Sequence, residues 1–185
     1  MADERPEVDD RDPADAVAQM VAHVLRLAET WGAWDGRPLP IDDRVYTPHK
    51  AIRRVADHMI DHLVQLEGHV AGAEPLPDRW HGSSMTTPAD LAPFTPEDLD
   101  EARSRLERLA QLWRIRLAAI PPEKLDRAEG DAYTPREMAF CAVGSRRERH
   151  EHSSGASNRW DWWTGARSAS DRQDVSVRAV GRCSR

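Results

Sequence analysis

The sequence is poor in residues that crosslink or anchor a protein. It has two cysteines, Cys141 and Cys183, so neither a disulfide framework nor a four-cysteine zinc site is expected. No run approaches the ~18 apolar residues of a membrane-spanning helix. Residues 1–15 are acidic and have no apolar segment, so we expect no secretory signal. These absences predict a protein of the reducing cytoplasm that does not enter a membrane.

Lysine is also scarce, with 2 lysines against 24 arginines. Arginine codons are GC-rich, so the bias indicates a GC-rich gene. It does not indicate a nucleic-acid partner, which would need a basic face on a folded domain. The net charge of −6 is uneven, since residues 145–185 hold nine arginines and five acidic residues. The chain is therefore an acidic body followed by a basic C-terminal segment.

Strand-like alternation of useful length is absent, and four helix-start signals are present instead. Each is a capping residue followed by proline: Asp12-Pro13, Thr47-Pro48, Thr95-Pro96 and Thr134-Pro135. Apolar residues at spacings of three and four follow the first three signals and predict long amphipathic helices. Residues 32–46 and 73–94 are rich in turn formers and are predicted to be loops. The pattern after the fourth signal stops at Gly144.

Three helices with one apolar face each need a common core. We therefore predict an all-α, up-down-up-down four-helix bundle over residues 12–144, with the fourth helix truncated or disrupted. Residues 1–11 are interpreted as a disordered lead-in. Residues 145–185 are interpreted as a basic, low-complexity tail that is disordered or out of frame.

The tail differs abruptly from the body in composition. It contains no Leu, Ile, Met or Phe, while Arg, Ser and Gly make up 20 of its 41 residues. Our preferred hypothesis is a frameshift, because a GC-rich gene read in a wrong frame yields this composition. The alternatives are an ordinary disordered extension or a tail that contacts nucleic acid or membrane surfaces. The nucleotide sequence around the Cys141 codon decides between them.

The candidate metal ligands are two histidines on the second predicted helix. His58 and His62 are four residues apart, so they share a face and can chelate one divalent ion with a ligand from another helix. His69 lies about 10 Å farther along the helix and cannot share that ion. The alternative is a pair of half-buried, hydrogen-bonded histidines. Asp57 and Asp61 are either acceptors behind the histidines or solvated charges.

Cys141 lies in the fourth predicted helix and has two interpretations. A thiolate there would be a metal ligand. We favour the other interpretation, a small apolar residue on a helix.

Several segments resemble the DinB-like superfamily, in particular a group of hypothetical proteins from high-GC actinobacteria. The main one runs from Tyr46 to Leu63 and includes both candidate histidines. The resemblance covers roughly residues 16–140 and is also carried by Trp80-His81, Thr86-Thr87, and residues 90–95, 99–106 and 133–140.

The resemblance implies a four-helix bundle that often holds a divalent metal through three histidines. Some members of the superfamily are thiol-dependent transferases or isomerases that use bacillithiol, mycothiol or glutathione, and many have no known activity. The family's further histidine would fall at or next to Cys141, where this sequence has none. The chain therefore departs from the family pattern where the tail begins.

Three functional hypotheses follow. The first is a DinB-like metal-dependent thiol transferase or hydrolase, with Zn²⁺, Ni²⁺ or Fe²⁺ at His58 and His62 and a low-molecular-weight thiol as co-substrate. The second is a non-catalytic helical bundle, a homodimer that acts as a binding or stress-associated protein. The third is a damaged form of the first, which has lost its last helix.

Overall fold

The computed structural model describes residues 11–41, 44–76, 81–128 and 133–142. Three long helices dominate this part of the chain: α1 (Pro13–Ala28), α2 (Pro48–Ala71) and α4 (Pro96–Ala118). Three short ones accompany them: α3 (His81–Ser84), α5 (Pro122–Leu125) and α6 (Pro135–Ala142). The all-α class is confirmed for these residues. The predicted tail, Cys183 and the lead-in up to residue 10 lie outside them.

The helix starts agree with the capping signals. Asp12 accepts hydrogen bonds from the backbone of the first turn of α1, at 2.7 Å from Ala14. Thr95 and Asp98 form the predicted capping box of α4. At the start of α6, the backbone N–H of Thr134 donates to Glu137 at 3.1 Å. These caps satisfy backbone donors that a helix cannot satisfy internally.

The predicted apolar stripes form one core. The whole stripe of α1 is buried, together with the inward-facing residues of α2, α4 and α6. Val70 continues the three-and-four spacing of α2, which predicts burial, but it is 55% exposed. The prediction is wrong for this residue because burial of apolar side chains in α2 ends one turn earlier, at Leu66. Gly72 then ends the helix with a φ of +64°, a left-handed conformation that glycine adopts without strain.

The two predicted loops contain short regular elements. Strands β1 (Leu39–Ile41) and β2 (Arg44–Tyr46) form an antiparallel hairpin in which Leu39 pairs with Tyr46. The prediction of a plain loop there is wrong, because three-residue strands are too short to show alternation. The second segment contains α3 and a single 3₁₀ turn at Pro88–Leu91.

Helices α1 and α4 run antiparallel. Arg114, near the end of α4, lies 3.3 Å from Asp15 at the start of α1. Arg103, near the start of α4, lies 3.1 Å from Glu29 at the end of α1.

Helices α2 and α4, in contrast, run parallel. Near their starts, His49 lies 3.6 Å from Asp98. Toward their ends, Arg116 donates to Glu67. The connection between them must therefore travel back along the whole bundle, which explains its length of about twenty residues.

Helix α6 starts at the end of the bundle where α1 starts. There Arg136 donates to the backbone oxygen of Arg11 at 3.2 Å. Its last turn reaches the middle of α2, where Cys141 meets His58. The order of directions is thus up-down-down-up, and the predicted up-down-up-down order is wrong. The eight residues of α6 are the described part of the fourth helix, so the prediction of its truncation lies outside the described residues.

No helix within the described ranges is both long and apolar enough to cross a bilayer.

Candidate metal centre

The structure brings together the two candidate histidines and Cys141, whose ligand role was the less favoured of its two interpretations. His58 and His62 project from adjacent turns of α2, and Cys141 projects from the last turn of α6. One ligand atom from each residue lies within 4.8 Å of the other two. The two imidazole rings meet edge to face, with centroids 4.6 Å apart. Helix α6 therefore supplies the residue from another helix that the histidine pair needs.

The cluster lies inside the bundle. The exposed fractions are 9% for His58, 3% for His62 and 0% for Cys141. Polar atoms in such a place are stable only when hydrogen-bonded or bound to an ion. The burial favours a metal centre, because a low-dielectric site strengthens the attraction between a cation and its ligands.

Each imidazole is oriented by a hydrogen bond from one ring nitrogen. Nε2 of His58 lies 3.1 Å from the backbone oxygen of Cys141 and donates to it. Nδ1 of His62 lies 2.7 Å from the side-chain oxygen of Gln65 and donates to it. The opposite nitrogens, Nδ1 of His58 and Nε2 of His62, are buried. Because the acceptors fix the tautomers, these opposite nitrogens carry the lone pairs that a metal needs.

Gln65 is therefore a functional candidate that the sequence argument missed. The sequence could have predicted Gln65 as a hydrogen-bond acceptor, because it lies three residues after His62 and so on the same face of α2. The sequence could not have predicted the carbonyl of Cys141 as an acceptor, since a backbone contact depends on how two helices pack. Asp57, considered as an acceptor behind the histidines, lies 3.9 Å from Arg53 in a half-exposed ion pair.

The sulfur of Cys141 is part of a disulfide in the structure. The other cysteine of the sequence, Cys183, lies outside the described residues. A disulfide sulfur has no thiolate charge to offer a cation, so a ligand role for Cys141 requires the reduced state. Its complete burial also fits the favoured interpretation as a small residue in the helix core.

A second polar cluster, which the sequence did not predict, lies near the start of α2. We call Lys50, Arg53, Thr86, Thr87 and Asp90 the Asp90 cluster. Lys50 is fully buried and donates to the hydroxyl of Thr86 at 2.9 Å. Burial lowers the pKa of Lys50, and the positive charge of Arg53 lowers it further.

Asp90 holds this cluster together. It accepts hydrogen bonds from Nε of Arg53 at 3.1 Å and from Nη2 at 2.7 Å. The backbone and hydroxyl of Thr87 donate to the same carboxylate at 2.6 and 2.9 Å. The paired guanidinium is the strong, bidentate kind of contact. The cluster therefore fastens the returning connection to α2.

Comparison with known proteins gives the chain no family assignment. No protein-family model, curated protein or solved structure matches it.

Proposed function

We propose that the chain is a helical metalloprotein that binds one divalent transition-metal ion through His58, His62 and, when reduced, Cys141. The observation that carries this proposal is the approach of the three ligand atoms to within 4.8 Å of one another. Imidazole and thiolate bind Zn²⁺ at about 2.0–2.3 Å, so two ligand atoms of one tetrahedral ion lie about 3.3–3.8 Å apart. Side-chain rotations that bring the three ligand atoms about 1–1.5 Å closer would close the cluster on an ion.

The donor set narrows the metal and the chemistry. Two imidazoles and one thiolate suit Zn²⁺, Ni²⁺ or Fe²⁺. Three protein ligands leave a fourth position, which in catalytic zinc sites holds water or substrate. A metal there would lower the pKa of a bound water or low-molecular-weight thiol and make it a nucleophile. A thiol-dependent transfer or a hydrolysis in the cytoplasm is the reaction class that we propose, in line with the DinB-like resemblance.

A non-catalytic helical bundle is the second candidate function. It is favoured by the apolar side chains that α2 and α4 expose to solvent, among them Ile115 at 55%. Such side chains on neighbouring helices favour a protein partner. The two candidates differ in whether the histidine–cysteine cluster takes a metal.

A cobalt titration tests the proposal. The full chain, freed of metal and kept reduced, is titrated with Co²⁺ while its absorption is recorded. We expect one equivalent to bind, with tetrahedral bands in the visible range and thiolate-to-cobalt absorption in the near ultraviolet. Without reductant, the thiolate band should be missing. The variant Cys183→Ser should restore it, because Cys183 is the other cysteine of the sequence.

Matched variants separate ligands from neighbours. Loss of a residue that only supports a ligand typically costs 10–100-fold in metal affinity, which is the range expected for Gln65→Leu. His62→Ala should cost at least ~100-fold, because it removes the ligand itself. The control is His69→Ala, a histidine two turns farther along α2, which should leave affinity unchanged. Absence of Co²⁺ binding, or equal losses in His62→Ala and His69→Ala, would show that the cluster is not a metal site.

A further inference from the structure

Two mutually exclusive states are available to the sulfur of Cys141. In the structure this sulfur is part of a disulfide. Its position, however, is that of a metal ligand, because it lies within 4.8 Å of a ring nitrogen of both His58 and His62. A sulfur bonded to a second sulfur has no thiolate charge, so it cannot bind a cation at the same time. The oxidation state of one atom therefore decides how many ligands the cluster offers.

The two histidines keep their orientation while the disulfide is present. Nε2 of His58 lies 3.1 Å from the backbone oxygen of Cys141, and Nδ1 of His62 lies 2.7 Å from the side-chain oxygen of Gln65. Neither acceptor is the sulfur, so neither hydrogen bond depends on a reduced thiol. The oxidised protein thus holds two oriented imidazoles, and reduction adds the third ligand at a position that already lies beside them.

We propose that a thiol–disulfide switch at Cys141 controls the metal site, so that the reduced protein binds the ion tightly and oxidation releases it. This inference rests on the proposed metal-binding function and names its regulation. The oxidant is the disulfide of a low-molecular-weight thiol, the class of co-substrate proposed for the site.

Oxidation takes place in two exchange steps. The thiolate of Cys141 attacks the low-molecular-weight disulfide, an S–S bond to Cys141 forms, and one low-molecular-weight thiolate leaves. A second protein thiol then displaces the remaining half, which leaves as the second low-molecular-weight thiolate. The sequence has one other cysteine, Cys183, that can supply this thiol. Two protein thiols are oxidised and one small disulfide is reduced, and an excess of the small thiol reverses both steps.

Metal binding and oxidation oppose each other by the same factor. An ion that binds the reduced form more tightly favours that form by the ratio of its two affinities. Loss of a residue that only supports a ligand costs 10–100-fold in affinity, so loss of the Cys141 ligand itself should cost at least ~100-fold. Cys141 has no exposed surface, and a bound ion would also occupy its thiolate. The metal should therefore protect Cys141 from oxidation.

The affinity for Zn²⁺ in the two redox states tests the switch. Full chain reduced with a phosphine and full chain treated with oxidised glutathione are compared by competition with a fluorescent chelator. We expect an affinity at least ~100-fold lower after oxidation, with full recovery on reduction. Cys141→Ser should bind weakly in both conditions.

The outcomes separate this inference from the proposed function. Tight Zn²⁺ binding that is equal in the two redox states would overturn the switch and leave the metal site standing. Absence of binding by the reduced chain would overturn both. Redox-dependent affinity that persists in Cys141→Ser would show that another group responds to the oxidant, which also overturns the switch.

The rate of oxidation provides the reciprocal measurement. The oxidised fraction of Cys141 is followed by mass spectrometry of alkylated peptides after oxidised glutathione is added. Free Zn²⁺ at about ten times the dissociation constant should slow the reaction about tenfold, because only the metal-free fraction reacts. His62→Ala keeps both cysteines but lacks a ligand, so the same Zn²⁺ concentration should give it no protection. His69→Ala is the matched control and should be protected like the wild type.

Circular dichroism confirms that each variant is folded. A wild-type chain that binds Zn²⁺ but is oxidised at the same rate with and without it would overturn the proposal. Equal protection of His62→Ala and His69→Ala would do the same, because the protection would then not come from the histidine–cysteine cluster.

Discussion

The variant Asp90→Ala is expected to lower the free energy of unfolding by about 3 kcal/mol or more. Asp90 is almost completely buried and accepts two hydrogen bonds from Arg53 and two from Thr87. Its removal leaves the guanidinium of Arg53 and the buried ammonium of Lys50 without that carboxylate. Urea unfolding followed by circular dichroism measures the change.

Asp57→Ala is the control, because Asp57 approaches the same Arg53 from the solvent side at 3.9 Å. An exposed ion pair contributes at most about 1 kcal/mol, so the control should be nearly neutral. Equal losses in the two variants would show that the Asp90 cluster does not fasten the connection to α2.

The pH dependence of stability provides a second measurement of Asp90. Burial raises the pKa of this carboxyl, but the hydrogen bonds from Arg53 and Thr87 lower it more, so the pKa lies below its ordinary value of 3.8. The stabilisation is therefore complete above the unfolded pKa and is lost as the pH falls through the folded pKa. The difference in stability between wild type and Asp90→Ala should shrink below about pH 4.

Replacement of Trp113 by alanine is expected to cost about 3–5 kcal/mol, the range for deletion of a large buried aromatic side chain. Trp113 has no exposed surface and belongs to the core that α1, α2 and α4 share. Its indole N–H donates to the backbone of α2 at 3.3 Å. The variant therefore leaves a cavity and a lost hydrogen bond where three helices meet.

Trp34→Ala serves as the matched control. Trp34 is only half-buried, and its indole donates locally to Arg37 at 2.9 Å. Its loss should cost about 1 kcal/mol or less. The two variants are compared by thermal and urea unfolding. A loss below about 1 kcal/mol in Trp113→Ala would contradict the placement of this residue at the centre of the core.

Local signals in the sequence predicted the helices well. Caps such as Thr95 with Asp98 involve residues three apart, and the apolar stripes depend only on helical spacing. Helix direction was not predictable in this way, because a stripe shows which face is buried but not which neighbour covers it. The order up-down-up-down therefore failed at the connection between α2 and α4, whose course depends on contacts such as that between Arg53 and Asp90.

In the candidate site, too, the local spacing was predictable and the long-range packing was not. The pair of His58 and His62 was visible because four-residue spacing puts both on one face. Cys141 lies beside the pair because of the direction in which α6 runs, and no local sequence pattern predicted that direction. Lys50 was unpredictable for another reason, since a lysine is normally exposed, and here the connection covers it.

The parallel course of α2 and α4 has a consequence for how the chain folds. Contacts between the long helices join residues far apart in sequence, such as Glu67 with Arg116, 49 residues apart, and Asp15 with Arg114, 99 residues apart. Adjacent helices in an ordinary hairpin bundle meet after a short loop closure, whereas here the long connection must first be ordered. A high mean sequence separation of contacts slows folding. We therefore expect this all-α protein to fold more slowly than its helix content suggests.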